Sequence, residues 1–257
     1  MDLKIENQTF IVCGASSGFG KGTAKALIRE NASVIGIARN LEKLKQTQLE
    51  LGDNFIPFQG DIAQTETINE LVKIASEKKI SGILINAGGP PAMSFNETEL
   101  SDWDNAYQNL LRWKVDIVKK LLPYFENKQY GRIVFIESSS VKQPIENLIL
   151  STSLRLAVLG MMKTLSQEIQ GQNITFNMIA PGSHATPAIE RLIKKKSEIE
   201  NISYNEAKEK WEENIPAGKM GDPNDLGQLA AWLLSPSSKF VNGQVYAVDG
   251  GTIKSTL

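Results

Sequence analysis

The chain has 257 residues, 41% apolar and 22% charged, close to ordinary globular usage; this excludes a disordered chain, a collagen-like repeat and a disulfide scaffold. At roughly 150 residues per domain, it can hold one large domain or two small ones. With 28 Lys and Arg against 29 Asp and Glu, the formal charge is −1, so no bulk field draws nucleic acid or an acidic membrane, and neither is expected as a partner.

The N-terminal MDLKIENQTF has no basic segment leading into an apolar stretch, so no secretory signal is expected. No apolar run approaches the roughly 18 residues that a spanning helix needs. The single cysteine, Cys13, suits a reducing compartment, and a cytoplasmic protein is expected. Short β-branched runs closed by Gly, Asn or Asp fall at about 8–13, 33–38, 54–58, 81–86, 132–138, 173–179 and 244–248. Helical spacing fills the intervals at about 18–30, 40–51, 64–78, 101–127, 150–170, 187–213 and 222–235. Runs 83–85 and 132–136 are apolar on both faces, as in strands of a parallel sheet covered by helices on each side. No repeat, low-complexity tract or linker divides the chain, which predicts a single α/β domain over 1–257. In such sheets function gathers in the loops after the strands.

In chain order, those loops carry the following residues. The first strand runs into Gly14-Ala15-Ser16-Ser17-Gly18-Phe19-Gly20 and then a helix. Glycines at this spacing permit a tight turn and close backbone approach to a pyrophosphate at a helix N-terminus. The second strand ends in Ala38 and Arg39, where a carboxylate would select a ribose 2′-OH and an arginine can grip a 2′-phosphate. The third is followed by Asp61-Ile62, and the fourth by Asn86-Ala87-Gly88. Asn109 lies in the next helical segment, and Ser138 at the end of the fifth strand. Pro181-Gly182 and Thr186 follow the sixth strand, with His184, the chain's only histidine, between them. The segment 187–215 breaks the alternation with Lys194-Lys195-Lys196 and an amphipathic pattern at Ile193, Ile199 and Trp211. It reads either as a solvated helical excursion or as a mobile lid over a pocket.

The G-x-x-x-G-x-G turn, Asn86-Ala87-Gly88, Pro181-Gly182 with Thr186, and the tail 243–251 together resemble the short-chain dehydrogenase/reductase family over nearly the whole chain. The resemblance implies a Rossmann-type, doubly wound, seven-stranded parallel sheet with helices on both faces. It implies a bound dinucleotide, which Arg39 specifies as NADP(H). The cofactor would contact Gly14, Ser16, Ser17, Gly18, Phe19, Gly20, Arg39, Asp61, Ile62, Asn86, Ala87, Gly88, Arg155, Pro181, Gly182 and Thr186. The family's catalytic tetrad is Asn, Ser, Tyr and Lys. Here Asn109 and Ser138 match the first two, while Ser151 stands where Tyr belongs and Arg155 where Lys belongs. The chain is thus similar to an atypical 3-oxoacyl-[acyl-carrier-protein] reductase-like subgroup.

An aliphatic hydroxyl is far less acidic than a phenol, and an arginine keeps its proton, so Ser151 cannot inherit the tyrosine's role directly. Arg155 could still hold the ribose. His184, or Lys142 four residues after Ser138, could deliver the proton instead. The resemblance implies an NADP(H)-dependent reductase of a carbonyl or hydroxyl on a small-molecule or acyl-carrier substrate. The alternative is a catalytically silent NADP(H)-binding sensor or regulatory protein. A homotetramer is implied, with Leu110, Val115, Val118, Leu156, Leu159 and Met162 as possible interface positions. No metal is expected.

Overall fold

The computed structural model describes residues 2–256. Seven strands, β1 (Thr9–Cys13), β2 (Ser33–Ala38), β3 (Phe55–Gln59), β4 (Gly82–Asn86), β5 (Gly131–Ile136), β6 (Ile174–Pro181) and β7 (Val245–Val248), form one parallel sheet in the order β3-β2-β1-β4-β5-β6-β7. Every predicted strand is present, with β5 ending two residues before the expected 138 and β6 continuing to Pro181. The order reverses between β1 and β4, which creates the crevice where open sheets of this kind bind ligands.

Both faces of the sheet are apolar and both are covered. On one side Ile11, Ile35, Ile83, Ile133 and Phe176 pack against α3 (Thr65–Glu77), α5 (Trp113–Lys128) and α6 (Ile149–Glu168). On the other, Phe10, Val12, Val34, Leu84 and Val134 meet α1 (Gly18–Arg29), α2 (Leu41–Leu51) and α9 (Pro223–Leu234). Residues alternate between these two faces with the two-residue period of the strand, and this fixes each register.

The helical prediction over 101–127 resolves into three pieces: α4 (Leu100–Ala106), a π-helical stretch Tyr107–Arg112, and α5. The wide turn has a visible cause at Asn109. Its side-chain amide donates to the Asn105 carbonyl at 2.8 Å, and its own carbonyl accepts from the Trp113 indole at 2.9 Å. Single π-turns within helices are frequent at functional sites.

The excursion after β6 consists of α7 (Pro187–Glu200) and α8 (Tyr204–Glu212). Pro187 at the first turn and a Ser203/Glu206 capping box start the two helices. They enclose a small separate core of Ile193, Ala207, Ile215 and Met220, with Trp211 against it and its indole donating to Ser183 Oγ at 3.0 Å. Of the suggested interface positions, Leu110, Val118 and Met162 are buried in the core, Val115 and Leu159 are half-buried, and Leu156 is exposed.

Candidate active site

The loops beyond the carboxyl ends of β1, β2, β4, β5 and β6 surround one cleft of about 920 Å³, at the upper end of the size range for ligand pockets. The turn after β1 forms its floor. Gly14 has φ +69°, and a Cβ there would lie 2.8 Å from Asn86 Nδ2. Gly20 admits no side chain, since a Cβ would stand 2.3 Å from the Gly14 carbonyl oxygen. The turn thus closes on itself and aims the first amides of α1 into the cleft. The N-cap residue Ser17 makes no side-chain cap, which leaves those amides for a ligand. Asn86 ties the crevice together by donating from Nδ2 to the Cys13 carbonyl at 3.2 Å, joining the ends of β4 and β1. Cys13 itself is sealed beneath the turn, and burial pushes its thiol up to about 12, so it takes no part as a thiolate.

At the β2 end, Arg39, Asn40 and Lys43 line the cleft with Asp61 and Ile62. Asn40 caps α2 by accepting from the Lys43 amide at 2.8 Å, and Lys43, in that first turn, lines the cleft with Arg39. The second cation here was not anticipated from the sequence. All the expected cofactor-contacting positions except Gly20 line the cleft, Gly20 being buried within the turn. Thr186 also starts α7, accepting from the Ile189 amide at 3.5 Å, while its methyl group faces Gly18.

The opposite end gathers Asn109, Ser138, Ser151 and Arg155, all lining the cleft. Ser138 Oγ accepts from the Ser140 amide at 3.2 Å. Arg155, one helical turn after Ser151 on α6, donates from Nε to Ser151 Oγ at 3.0 Å and from Nη1 to Glu137 Oε2 at 2.8 Å. The other Glu137 oxygen, Oε1, accepts from Lys114 Nζ. Lys114, Glu137 and Arg155 are respectively 0%, 5% and 5% exposed, which makes this a buried ion triad beneath this end of the cleft. Burial lowers the Lys114 ammonium below the usual lysine range although Glu137 pulls it up.

Sequence reasoning missed both Lys114 and Glu137. Their signal was a carboxylate closing the apolar run 133–136 and a lysine set among the apolar positions Trp113, Ile117 and Val118 of α5. Nε and Nη1 of Arg155 are committed to Ser151 and Glu137, which leaves Nη2 as its nitrogen without either of these partners.

The two alternative proton donors fare differently. Lys142 is half-buried and does not line the cleft. His184 does line it, but is 3% exposed, edge-on to Phe19 at 5.1 Å between ring centroids, with Nδ1 3.1 Å from the Gly182 carbonyl. Its burial lowers the imidazole below the usual histidine value, against the opposing pull of that carbonyl, Asp222 and Asp225. Its contacts are with the Gly182 carbonyl and the Phe19 ring rather than with Ser138 or Ser151.

A family model described as enoyl-(acyl carrier protein) reductase matches residues 14–252. The 3-oxoacyl-[acyl-carrier-protein] reductase FabG of Thermotoga maritima is 28% identical over 256 residues, covering 98% of this chain and 100% of that protein. The NADPH-dependent reductase BacG of Bacillus subtilis is 26% identical, covering 98% and 100%. Among solved structures, a variant of actinorhodin polyketide ketoreductase with NADPH superposes with a TM-score of 0.90 at 26% identity, covering 97% and 98%. The L-sorbose reductase of Gluconobacter frateurii, complexed with NADPH and L-sorbose, shares the fold with a TM-score of 0.93 at 22% identity, covering 99% and 100%.

Proposed function

The chain belongs to the short-chain dehydrogenase/reductase family, and on that footing we propose that it is an NADP(H)-dependent oxidoreductase acting on a carbonyl or hydroxyl substrate through an atypical site, with Ser151 and Arg155 where the family has Tyr and Lys. The observation that carries this reading is the cleft itself. It has a phosphate-binding turn at the switch point, cations at one end, and hydroxyls with a guanidinium at the other.

The residues present fit the dinucleotide. The uncapped N-terminus of α1 and the closed Gly14–Gly20 turn suit a pyrophosphate, to which Ser16, Ser17, Gly18 and Phe19 would be adjacent. Arg39 and Lys43, with no carboxylate at the end of β2, suit a 2′-phosphate. Asp61 and Ile62 would flank the adenine. Asn86, Ala87, Gly88, Pro181, Gly182 and Thr186 would surround the nicotinamide half. When bound, the cofactor supplies or accepts a hydride.

The protein's own groups do the rest. Asn109 holds the wide turn that sets the start of α5 and, through Trp113, the wall of the cleft. Ser138 polarises the substrate oxygen. Ser151, accepting from Arg155, donates a hydrogen bond to the same oxygen while keeping its proton, and the alkoxide left by hydride addition takes its proton from solvent in the cleft; in the oxidative direction the hydroxyl's proton returns to solvent. The excursion α7–α8 serves as the lid, and the chain assembles as a homotetramer of D₂ symmetry, for which Leu156 of α6 is the one suggested interface position that is exposed. A small molecule or an acyl chain on a carrier is the substrate.

The test is titration with NADPH followed by turnover against a panel of ketones, keto esters and 3-oxoacyl thioesters. Tight binding with NADPH oxidation by at least one class is expected. Tight binding with no turnover would make the chain a cofactor-binding protein without this activity.

A further inference from the structure

The buried triad of Lys114, Glu137 and Arg155 does not balance its own charge. Lys114 and Arg155 share the single carboxylate of Glu137, and no second acidic side chain is ion-paired with either among the described residues. Two contacts favour the charged form of Lys114: Glu137 Oε1, and the Trp113 ring, whose centroid is 5.7 Å from Nζ. Arg155 keeps its proton, so two cations stand against one anion and the triad is a net cation. Charges this far withdrawn from water are poorly screened by solvent or salt.

The sheet fixes where that charge lies. Ile136, the last residue of β5, is in register with Asn86 on β4 and with Ile179 on β6, so Glu137 follows at the level of Ala87 and Ala180. Its amide donates to the Ile179 carbonyl at 2.9 Å. On the β4 side the chain continues through Ala87 and Gly88 to Gly89, where a Cβ would stand 3.2 Å from Arg155 Nη2. On the β6 side it continues through Pro181 and Gly182. These are the two segments assigned above to the nicotinamide half of the cofactor, and the triad stands between them. Glu137 and Arg155 line the cleft there, while Lys114 is fully buried behind them. The other acidic residues lining the cleft, Asp61 and Asp102, are half-buried and engaged locally. Asp61 Oδ1 accepts from the Ala63 amide at 3.1 Å, and Asp102 Oδ2 from the Glu99 amide at 2.9 Å.

The two redox states of a nicotinamide cofactor differ in charge at the ring: NADP⁺ is positive there, and NADPH, which carries one more hydride, is neutral. Their phosphates are the same. A net cation beside the ring therefore opposes one form and spares the other. We propose that the Lys114–Glu137–Arg155 triad makes the cleft select the reduced cofactor, so that the protein loads NADPH from a mixed pool and releases NADP⁺ readily. Lys114 acts through Glu137 rather than by touching the cofactor: with it the triad is a cation, and without it Glu137 and Arg155 form a neutral pair. The inference rests on reading the cleft as an NADP(H) site and does not depend on turnover.

The test is calorimetric titration of each protein with NADPH and with NADP⁺ at pH 7, read as the ratio of the two affinities. The wild type should favour NADPH about 10-fold, the effect of two unit charges roughly 10 Å apart, the linear scale of a cleft of about 920 Å³, at an effective dielectric constant of about 20. In Lys114→Met the ratio should fall toward one, with NADP⁺ affinity rising. Adding Glu137→Gln to Lys114→Met leaves Arg155 as a lone cation, and the ratio should return to about 10-fold. A merely structural role would weaken both forms alike, and a second lesion would not restore discrimination. If Lys114→Met does not fold, Lys114→Gln, which keeps a donor for Glu137, takes its place, and the wild-type ratio tests the proposal without any variant. Equal affinities in the wild type, an unchanged ratio on loss of the Lys114 charge, or a double variant that stays at the lowered ratio would overturn it. If neither form binds, the NADP(H) reading of the cleft falls and takes this inference with it; if both bind equally, only this inference falls.

Discussion

Replacing Glu137 by Gln tests whether the buried triad is organised around that single carboxylate. Lys114 Nζ has no other ion partner among the described residues, and its side chain is fully buried, so the variant strands an ammonium away from water. Removing one partner of a buried pair typically costs about 3–5 kcal/mol, which for a chain of this size lowers Tm by roughly 6–20 °C. Lys114→Met should be much milder, about 0–2 kcal/mol, because Glu137 keeps Arg155 at 2.8 Å and the desolvation of the ammonium disappears with it. The decisive measurement is the double variant. Adding Lys114→Met to Glu137→Gln should restore part of the lost stability, since Arg155 borders the cleft and can reach water while Lys114 cannot. Urea unfolding of the four proteins gives the coupling directly. Additive losses, or a Lys114→Met variant as unstable as Glu137→Gln, would refute this account of the triad.

Arg39→Ala should erase a preference for NADPH over NADH of about 10- to 100-fold, measured by calorimetry; equal affinities in the wild type would remove the basis for assigning NADP(H). The sole histidine, His184, should titrate below its ordinary value of 6.5 by NMR. Between its folded pKa and about 6.5 the unfolded chain then binds the extra proton, so stability should fall as pH falls through that window, and a titration at or above 6.5 would contradict the burial argument. Ser151→Tyr with Arg155→Lys should raise reduction of a generic ketone by up to about 10²–10⁴-fold, and no gain with NADPH affinity retained would show that the lost phenol is not what limits turnover. Light scattering at micromolar concentration should give four times the mass of the 28.3 kDa chain, and a monomer would refute the tetramer.

The sheet was legible because its signals are local. Apolar runs bounded by Gly, Asn and Asp mark β1 to β7 within one or two residues, and the turn Gly14–Gly20 is marked by glycines, two of which, Gly14 and Gly20, stand where a side chain would clash. The end of the cleft opposite Arg39 was legible only at the positions of Asn109, Ser138, Ser151 and Arg155. Its electrostatics were not, because Lys114 and Glu137 lie 23 residues apart and meet only when α5 packs beside the end of β5. The break in the helix at Tyr107–Arg112 escaped for a related reason: periodicity registers an amphipathic stripe across 101–127 but not a local widening held by the side chain of Asn109. Lys142 illustrates the opposite error, where spacing from Ser138 suggested a role that the following turn, Ser139–Val141, steers away from the cleft.

The small core shared by α7 and α8 has a consequence for how the cleft exchanges its contents. Ile193, Ala207, Ile215 and Met220 form a cluster separate from the two that clothe the sheet, so its contacts can open without disturbing the sheet's packing. Such a unit has its own opening free energy, smaller than that of the whole chain, and its amides exchange with solvent on a faster clock than those of β4 and β5. On the reading of α7–α8 as the lid proposed above, traffic through the cleft would follow a local melting equilibrium in which the four residues of that cluster determine how often the entrance is passable.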